Sequence, residues 1–510
     1  MTFYSCSNQS ATNKPISGWY KFPITLSVDS GEIYKSFSSK AHNGYYINTE
    51  YISYKNLTID NNHLVKDVLS TDSTIMLSDI IQGTDARKWE LSNMKNIKIG
   101  VPIFYEKNNI WSAEIIFNKN KKIKNDLKTL SLIVDPIDLF HYKTGIYVQG
   151  FHMNYNNPKI GNYSQRGADW TKKAALHLFE NTNLIFQSGC KIKIQGDFSR
   201  SQPQKSFKLV FKEPVELNVF GTKNRFHRLI LRTPFTSAPQ GQSLLADSYL
   251  ADIALSLGLD AMNSEAVNLY LNGEYWGLYH LREKIDEFYL QEKYSVTQES
   301  IDIVKFDSAS EDFYTKIHGK KNDWLDLMEY IYENDVSNNN IYNIVCEKID
   351  INNLIDYLII QTFFANKDWP SNNFKFWKSS QIDNKWRFIV YDLDATFRND
   401  NMFNYINSTK PMGNNSLEST ILFRKLFKNK VFIEAFKSRY SNLLNHHLNK
   451  NNLIQKLNQR EEYLRQAVPN QVSRWGMPDS NKLWEERVGK MAQYLSKREA
   501  QYTNHLNSLD

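Results

Sequence analysis

The chain has 510 residues, of which 41% are hydrophobic and 23% are charged, and its formal net charge is +7 at pH 7. This length allows roughly two to four domains and a large buried core. The net charge is small for such a chain and no long run of like charges occurs, which argues against a nucleic-acid-binding protein. No apolar run reaches the length of a membrane span, and no signal-peptide pattern follows Met1.

The three cysteines, Cys6, Cys190 and Cys346, are too few and too widely spaced for a disulfide framework or a zinc site. Cys6 lies in a polar segment, residues 1–17, which we predict to be a disordered tether. A small residue before Cys6 and a polar stretch after it resemble the end of a bacterial lipoprotein signal. This pattern predicts an extracytoplasmic or envelope-associated protein, and a cytoplasmic protein with an incidental cysteine is the alternative.

Residues 18–120 contain short alternating or apolar runs separated by Asn, Asp and Gly, which is typical of β-strands joined by turns. They predict a small β-sandwich-like domain. The Lys- and Asn-rich stretch 118–128 predicts a linker to a second domain at residues 129–510.

A β-rich lobe is predicted for residues 129–285. CKIKIQGDF (190–198) and KSFKLVFK (205–212) alternate strongly around a polar turn and predict a β-hairpin. A second hairpin is predicted to turn on Asn272-Gly273. Between the two hairpins, SLLADSYLADIALSLG has apolar residues at helical spacing, with Gly258 at the expected helix end.

An α-rich lobe is predicted for residues 286–510. It begins with a charged helical insert that extends to about Lys348. An apolar helix then leads into a polar turn, two short strands and a second turn. All residues after Arg398 are predicted to be helical.

The two turns beside the short strands carry the candidate catalytic residues. Asp368 and Asn373 lie in the first turn, and Asp392 and Asp394 follow the second strand. Protein kinases place a catalytic Asp five residues before a metal-binding Asn, and a further metal-binding Asp after a strand pair. The same spacing predicts that Asp368 accepts or orients the substrate proton, while the other three residues bind Mg²⁺ or Mn²⁺. The spacing also fits an Asp that caps a turn and an Asp pair that ends a strand.

A kinase site also needs cations and a loop for the nucleotide phosphates. The segment GDFSRSQPQKSFK offers Ser199 and Arg200 in its turn, and Lys205 and Lys208 at the start of the following strand. Glu283 is the candidate for orienting Lys205. The alternatives are a solvent-exposed basic hairpin tip and a surface glutamate paired with a neighbouring cation.

Five motifs, taken in order, resemble the spore-coat protein H (CotH) kinase family. They are IQGDFSRSQPQKSFKLVF, LRTPFTSAPQGQSLLADSYLADIALSLGL, VNLYLNGEYWGLYHLREKID, NKDWPSNNFKFW and WRFIVYDLDATF. The upstream GIYVQG and GNYSQRGADW are similar to longer bacterial members. The resemblance covers the chain from about Thr129 to its end. It implies an atypical, two-lobed protein-kinase-like fold that binds ATP with a divalent metal and phosphorylates serine on coat proteins.

Carried over by position, the resemblance implies that Asp368 is the catalytic aspartate and Asn373 the metal-side asparagine. Asp392 and Asp394 match the family's D-x-D motif, and Lys205 matches the lysine after its Ser-Arg loop. The chain departs from the family pattern in two places. An acid precedes the Ser-Arg loop, and Ala-Thr-Phe follows D-x-D where some members have Gly.

Together these features predict an α+β protein, with an atypical kinase-like domain after a small β-sandwich-like domain. The predicted activity is metal-dependent transfer of the γ-phosphoryl group of ATP to a Ser or Thr hydroxyl of a protein substrate. The first alternative is a kinase-fold enzyme that uses ATP for nucleotidyl transfer or carboxylate activation. The second is a non-catalytic envelope or adhesion protein with this fold.

Overall fold

The computed structural model describes residues 17–20, 24–27, 34–42, 45–54, 56–60, 63–65, 68–71, 75–76, 100–107, 110–119, 122–154, 156–157, 159–221, 223–236, 241–410, 416–507 and 509. The predicted tether, apart from Ser17, lies outside these residues, and so does Cys6. Among the helices that are described, none is both long and apolar enough to span a bilayer.

Ten short strands cover the described residues before 120. They are β1 Gly18–Tyr20, β2 Ile24–Ser27, β3 Tyr34–His42, β4 Tyr45–Tyr54, β5 Asn56–Asp60, β6 His63–Val65, β7 Val68–Thr71, β8 Ile75–Met76, β9 Gly100–Lys107 and β10 Ile110–Asn118. One sheet has the order β1-β10-β9-β3-β4-β7 with β8 beside β4, and a second has the order β2-β5-β6. The predicted strand character is confirmed, whereas the sandwich layout stays a prediction.

Seven further strands form a closed barrel. They are β11 Lys128–Ile133, β12 Lys172–Glu180, β13 Asn183–Gln195, β14 Ser206–Asn218, β15 Lys223–Arg232, β16 Ser264–Leu271 and β17 Glu274–Glu283, and a short helix, α1 Pro136–Phe140, follows β11. The barrel order is β11-β12-β13-β14-β15-β17-β16, and parallel pairing of β11 with β16 closes it. Apolar side chains fill the interior because every second residue of a strand faces inward.

Both predicted hairpins are confirmed. β13 and β14 pair antiparallel on either side of a 3₁₀ turn at Phe198–Ser201. The turn between β16 and β17 has φ of 52° at Asn272 and 79° at Gly273, the left-handed pair that a tight two-residue hairpin requires.

The remaining elements are mostly helical. They are α2 Ala246–Ser256, α3 Glu287–Tyr294, β18 Ile301–Phe306, β19 Tyr314–His318, α4 Asn322–Glu333, α5 Asn339–Lys348, α6 Ile351–Phe363, β20 Lys375–Ser379, β21 Arg387–Ile389, α7 Met402–Asn407, α8 Leu417–Leu426, α9 Lys430–His446, α10 Lys450–Arg465, α11 Val468–Trp475 and α12 Asn481–Asn507. The predicted helix before Gly258 is α2, and Gly258 follows it with φ of 82°.

The prediction of an all-helical insert from Asp286 to Lys348 is wrong in part. Between α3 and α4 the chain forms β18 and β19, which join β20 and β21 in a sheet of order β19-β18-β20-β21. Ile301 and Ile303 of β18 are fully buried two residues apart, which is the periodicity of a strand. The surrounding charged helices obscured this short period in the sequence.

The described residues divide into two compact units. The first contains the residues up to Pro234 together with Glu265–Arg282 and Leu464–Asn481. The second contains Phe235–Ser264, Glu283–Tyr463 and the residues from Lys482 onward. The barrel, apart from the strand-end residues Ser264 and Glu283, therefore belongs to the first unit, as does α11. The sheet of β18–β21 and the other long helices belong to the second. A domain boundary near residue 120 stays a prediction.

Candidate active site

The loop after α6 is held by a buried asparagine. Asn366 is fully buried, its Nδ2 donates to Gln361 Oε1 at 2.9 Å, and its Oδ1 accepts from the backbone N–H of Asp368 at 3.2 Å. The carbonyl of Asp368 in turn accepts from the N–H of Asn372 at 2.9 Å. These bonds fix the backbone of Asp368, since buried polar groups of this kind are costly to leave unpaired.

The segment after β21 is fixed in a similar way by α2. The buried carboxylate of Asp247 accepts from the N–H of Leu393 at 2.8 Å, which places the backbone between Asp392 and Asp394. Thr396 Oγ1 donates to the Leu393 carbonyl at 2.7 Å and closes the turn that follows.

Backbone hydrogen bonds join these two loops. Lys367 N donates to the carbonyl of Ala395 at 3.1 Å, and Phe397 N donates to the carbonyl of Phe364 at 2.7 Å. The side-chain amide of Asn373 donates from Nδ2 to the carbonyl of Asp392 at 3.2 Å. The polar turn after α6 and the D-x-D segment therefore form one cross-linked pair of loops.

Several residues of the paired loops adopt the left-handed backbone conformation. Asn373 and Asp392 have φ of 57° and 58°, which Asn and Asp tolerate better than other residues. Ala365 and Phe397 have φ of 50° and 58°, and for these side chains the conformation costs roughly 1–3 kcal/mol. Such strained positions cluster at functional sites, where the surrounding structure holds them.

Asp368 is half-buried within the paired loops. Burial raises the pKa of its carboxyl, and the nearby carboxylate of Asp392 raises it further, while Arg398 acts in the opposite direction. Asp394 is also half-buried and lies two residues beyond Asp392 on the same segment. The structure thus brings Asp368, Asn373 and Asp392 together as the sequence predicted.

The donor set of this site is sparse. Among the described residues, no three Asp, Glu, His or Cys side chains are grouped so that they could bind a metal by themselves. The carboxylates of Asp392 and Asp394 and the amide of Asn373 do not form an all-protein cage. They fit Mg²⁺, which takes one or two carboxylates and completes its coordination shell with water and phosphate oxygens. A metal would use the amide oxygen of Asn373, because an amide nitrogen donates and has no lone pair to offer; here Nδ2 donates to the Asp392 carbonyl.

Glu283 lies at the end of β17 and is 4% exposed. Its Oε2 accepts from the backbone N–H of Asn263 at 3.1 Å and from Asn263 Nδ2 at 2.8 Å. Burial raises the pKa of the Glu283 carboxyl, while the Asn263 hydrogen bonds and Lys293 oppose this rise. The carboxylate is therefore held in a single orientation by Asn263.

Asp260 organises a polar cluster beside Glu283. Its Oδ1 accepts from Lys293 Nζ at 2.6 Å and from Tyr294 OH at 3.0 Å, and its Oδ2 accepts from Trp377 Nε1 at 2.7 Å. Trp377 is on β20, so this cluster ties the strand that follows Asn373 to α3.

Lys375 opens β20, two residues after Asn373. Its Nζ lies 3.4 Å from the carbonyl oxygen of Ile285 and 4.6 Å from the ring centroid of Tyr391. Burial and the neighbouring Lys284 and Lys305 lower the pKa of Lys375 to about 7. Lys375 stands in the motif NKDWPSNNFKFW, which by itself indicates no role for it.

In the first unit, Arg200 shapes the predicted phosphate loop. It is 7% exposed, and its guanidinium donates to the carbonyls of Gly196 at 2.6 Å, Tyr163 at 3.1 Å and Gln165 at 3.3 Å. Gly196 has φ of 108°, and a Cβ added there would lie 2.1 Å from Ser199 Oγ, so only glycine fits. Arg200 thus joins the loop to the upstream GNYSQR segment.

Lys205 is buried behind the same loop. Its Nζ donates to the carbonyls of Arg200 at 2.8 Å and Gln202 at 2.7 Å and lies 4.3 Å from the ring centroid of Tyr163 and 5.2 Å from that of Tyr147. Burial lowers the pKa of Lys205 to about 7. Two of its three N–H donors therefore bind the loop backbone.

The other two predicted phosphate ligands, Ser199 and Lys208, lie in different local environments. Ser199 is half-buried in the 3₁₀ turn. Lys208 lies on β14 directly opposite Lys193 of β13. The acid before the Ser-Arg loop, Asp197, is exposed and lies 4.0 Å from Arg166 Nη2.

The candidate residues thus fall into two groups, one in each unit. Asp368, Asn373, Asp392, Asp394 and Glu283 belong to the second unit, and Ser199, Arg200, Lys205 and Lys208 belong to the first. The residues that support these groups were not predicted. Tyr163 and Asp247 stand in the motifs GNYSQRGADW and LRTPFTSAPQGQSLLADSYLADIALSLGL, but neither motif indicates the contact that the residue makes.

Comparison with known proteins adds two findings. The family described as "CotH kinase protein" matches residues 192–502, which is more than half of the 510-residue chain. Among solved structures, the crystal structure of a proinflammatory kinase from Helicobacter pylori, CtkA, is similar with a TM-score of 0.27 and 10% identity, over 56% of this chain and 94% of that one. A likeness this low carries no argument here. No curated protein sequence matches the chain.

Proposed function

Because the chain belongs to the CotH kinase family, we propose that it transfers the γ-phosphoryl group of ATP to a Ser or Thr hydroxyl of a protein substrate. The observation that most supports this proposal is the pair of cross-linked loops. They bring the carboxylate of Asp368 near enough to Asp392 to raise its pKa, and they bond Asn373 to the backbone of Asp392. Phosphoryl transfer needs such a base beside such metal ligands.

Asp368 serves as the base or orienting group in this proposal. A carboxylate of raised pKa is a better proton acceptor than an ordinary exposed one. The acceptor oxygen attacks the γ-phosphorus, the bond between that phosphorus and the bridging oxygen breaks, and ADP leaves. The proton of the hydroxyl passes to Asp368.

The amide oxygen of Asn373 and the carboxylates of Asp392 and Asp394 would hold Mg²⁺ or Mn²⁺. When bound, such an ion neutralises charge on the phosphate oxygens. Asp247 and Asn366 keep these groups in place through the backbone bonds described above.

The phosphate loop of the first unit is proposed to contact the nucleotide. Lys205 keeps one N–H donor beyond the two that bind carbonyls, and Ser199 and Lys208 offer further donors. Arg200 acts mainly by holding the loop. The predicted role of Glu283 in orienting Lys205 is not part of this proposal, because Asn263 holds the Glu283 carboxylate and the carbonyls of Arg200 and Gln202 hold Lys205 Nζ.

The test is incubation with ATP labelled separately at the α- and γ-phosphate, with Mg²⁺ and with Mn²⁺, beside the variants Asp368→Asn and Asp326→Asn. Asp326 is an exposed aspartate of α4 and is the matched control. We expect γ-label to appear on a generic protein acceptor or on the chain itself. This transfer should fall at least about a hundredfold in Asp368→Asn and stay unchanged in Asp326→Asn.

Other outcomes distinguish the alternatives. Transfer of α-label alone would indicate nucleotidyl transfer and overturn the kinase proposal. Pyrophosphate release that depends on a carboxylate substrate would indicate ligation. Absence of both transfer and ATP binding would favour a non-catalytic envelope or adhesion protein.

A further inference from the structure

Lys375 opens β20 two residues after Asn373. Asn373 bonds the backbone of Asp392, and the residue before Asp392 is Tyr391, whose ring centroid is 4.6 Å from Lys375 Nζ. The Lys375 ammonium therefore lies beside the residue that immediately precedes Asp392, one of the proposed metal ligands.

The contacts of this ammonium are incomplete. It has three N–H donors, and in the described chain it meets one carbonyl, that of Ile285, at 3.4 Å, which is long for a hydrogen bond. The Tyr391 ring supplies a cation–π contact and no hydrogen-bond acceptor. A half-buried ammonium with so few acceptors is poorly compensated.

The charged residues around Lys375 do not compensate for its missing hydrogen-bond acceptors. Lys305 of β18 lies directly opposite it in the sheet register, and like charges in that position destabilise a sheet. Lys284 adds a second cation, while Asp286 and Asp260 offset only part of the repulsion. A ligand with a hydrogen-bond acceptor would complete the site.

Three groups of different chemistry thus meet at one point. They are the donor of Lys375, the carbonyl acceptor of Ile285 and the aromatic face of Tyr391. A purine offers the complementary set, which is a ring nitrogen that accepts, an exocyclic amino group that donates and a flat π-surface. A phosphate group offers hydrogen-bond acceptors alone, so it could neither donate to the Ile285 carbonyl nor stack on the Tyr391 ring.

We propose that Lys375 donates a hydrogen bond to the base of the bound nucleotide, and so selects a nucleoside triphosphate over a bare polyphosphate. This inference rests on the proposed function, because the phosphates of the same nucleotide would face Asp392 and Asp394.

The experiment compares the affinities of two ligands that share phosphates but differ in the base. Mg²⁺–ATP and Mg²⁺–tripolyphosphate are titrated calorimetrically into the wild type and into Lys375→Met, Lys375→Arg and Lys316→Met. Lys316 is an exposed lysine of β19 in the same sheet and is the matched control. We expect Lys375→Met to weaken ATP binding about tenfold or more and to leave tripolyphosphate binding within about twofold.

Lys375→Arg retains donors and should recover part of the preference for ATP, and Lys316→Met should change neither affinity. Equal weakening of both ligands in Lys375→Met would mean a phosphate contact or a general loss of structure, and no weakening of either would mean a purely structural lysine. Each of these results overturns the proposal. Failure of the wild type to bind ATP would instead overturn the proposed function itself, so the two failures are distinguishable.

Discussion

Burial and two charged neighbours determine the pKa of Asp368. Burial and the carboxylate of Asp392 raise its pKa, and Arg398 lowers it. Arg398 contacts Asp400, with Nε 3.6 Å from Oδ2, and holds no proposed catalytic role. It therefore offers a way to change the base without touching the metal ligands.

The pH profile of kcat/KM should report this pKa. Asp368 acts when deprotonated, so activity should fall as the pH drops through its raised pKa, above the usual range for aspartate. Removing the Arg398 charge in Arg398→Met raises the pKa further, and the acid limb should move to higher pH. Lys428→Met, which changes an exposed lysine, should leave the limb in place. A limb that does not move in Arg398→Met would count against Asp368 as the titrating base.

Among the elements, α6 is the one on which the catalytic loop depends. Its last turn exposes carbonyls that need partners. Arg498 of α12 donates to the carbonyls of Thr362 and Phe363, and Tyr494 OH donates to that of Phe363. A cation at a helix C-terminus also interacts favourably with the helix dipole. The start of the loop that carries Asp368 is thereby fixed by the end of the chain.

We predict that Arg498→Met lowers the free energy of unfolding by about 3 kcal/mol, because the two charge-assisted hydrogen bonds to the carbonyls of Thr362 and Phe363 are lost. The neighbouring exposed residue of α12, Lys497, gives the control variant Lys497→Met, which should have almost no effect. Urea denaturation measures both. Equal stability of the two variants would show that the Arg498 contacts do not support α6.

Elements with strong local signals were predicted well from the sequence. The Asn272-Gly273 turn and the end of α2 at Gly258 depend on the φ preferences of single residues. β18 and β19 were missed because their short strand period is surrounded by charged helical segments. Barrel closure through β11 and β16 joins residues more than a hundred positions apart, which no local pattern reveals.

In the candidate site, too, local sequence patterns were predictable and contacts between distant residues were not. The spacing of Asp368, Asn373 and Asp392 is a sequence pattern, and the structure brings these residues together. Their supports were not predictable, because the Asp247 carboxylate meets the Leu393 N–H across 146 positions. The contacts of Lys205 with Tyr147 and Tyr163 likewise depend on tertiary packing.

At the scale of the whole molecule, a late segment of the chain completes the first unit. Gln471 of α11 is fully buried, accepts from Leu278 N at 2.8 Å and donates to Gln204 Oε1 at 2.8 Å. Gln204 precedes Lys205, so α11 contacts the barrel next to the phosphate loop.

Gln471→Leu should therefore destabilise the protein by about 2 kcal/mol, since the buried N–H of Leu278 and the amide oxygen of Gln204 lose their hydrogen bonds to Gln471. Gln466→Leu, at an exposed position, is the matched control. Thermal unfolding of the two variants beside the wild type provides the measurement. Indistinguishable midpoints would mean that α11 is dispensable to the barrel.

The chain passes between the two units five times, after Pro234, Ser264, Arg282, Tyr463 and Asn481. On the ribosome, the last barrel strand is complete once Glu283 has emerged, whereas α11 arrives only after Tyr463. At roughly 5–20 residues per second, translation of the intervening segment takes on the order of 10–40 s. For that interval the nascent barrel has all its strands but lacks the hydrogen bonds of Gln471.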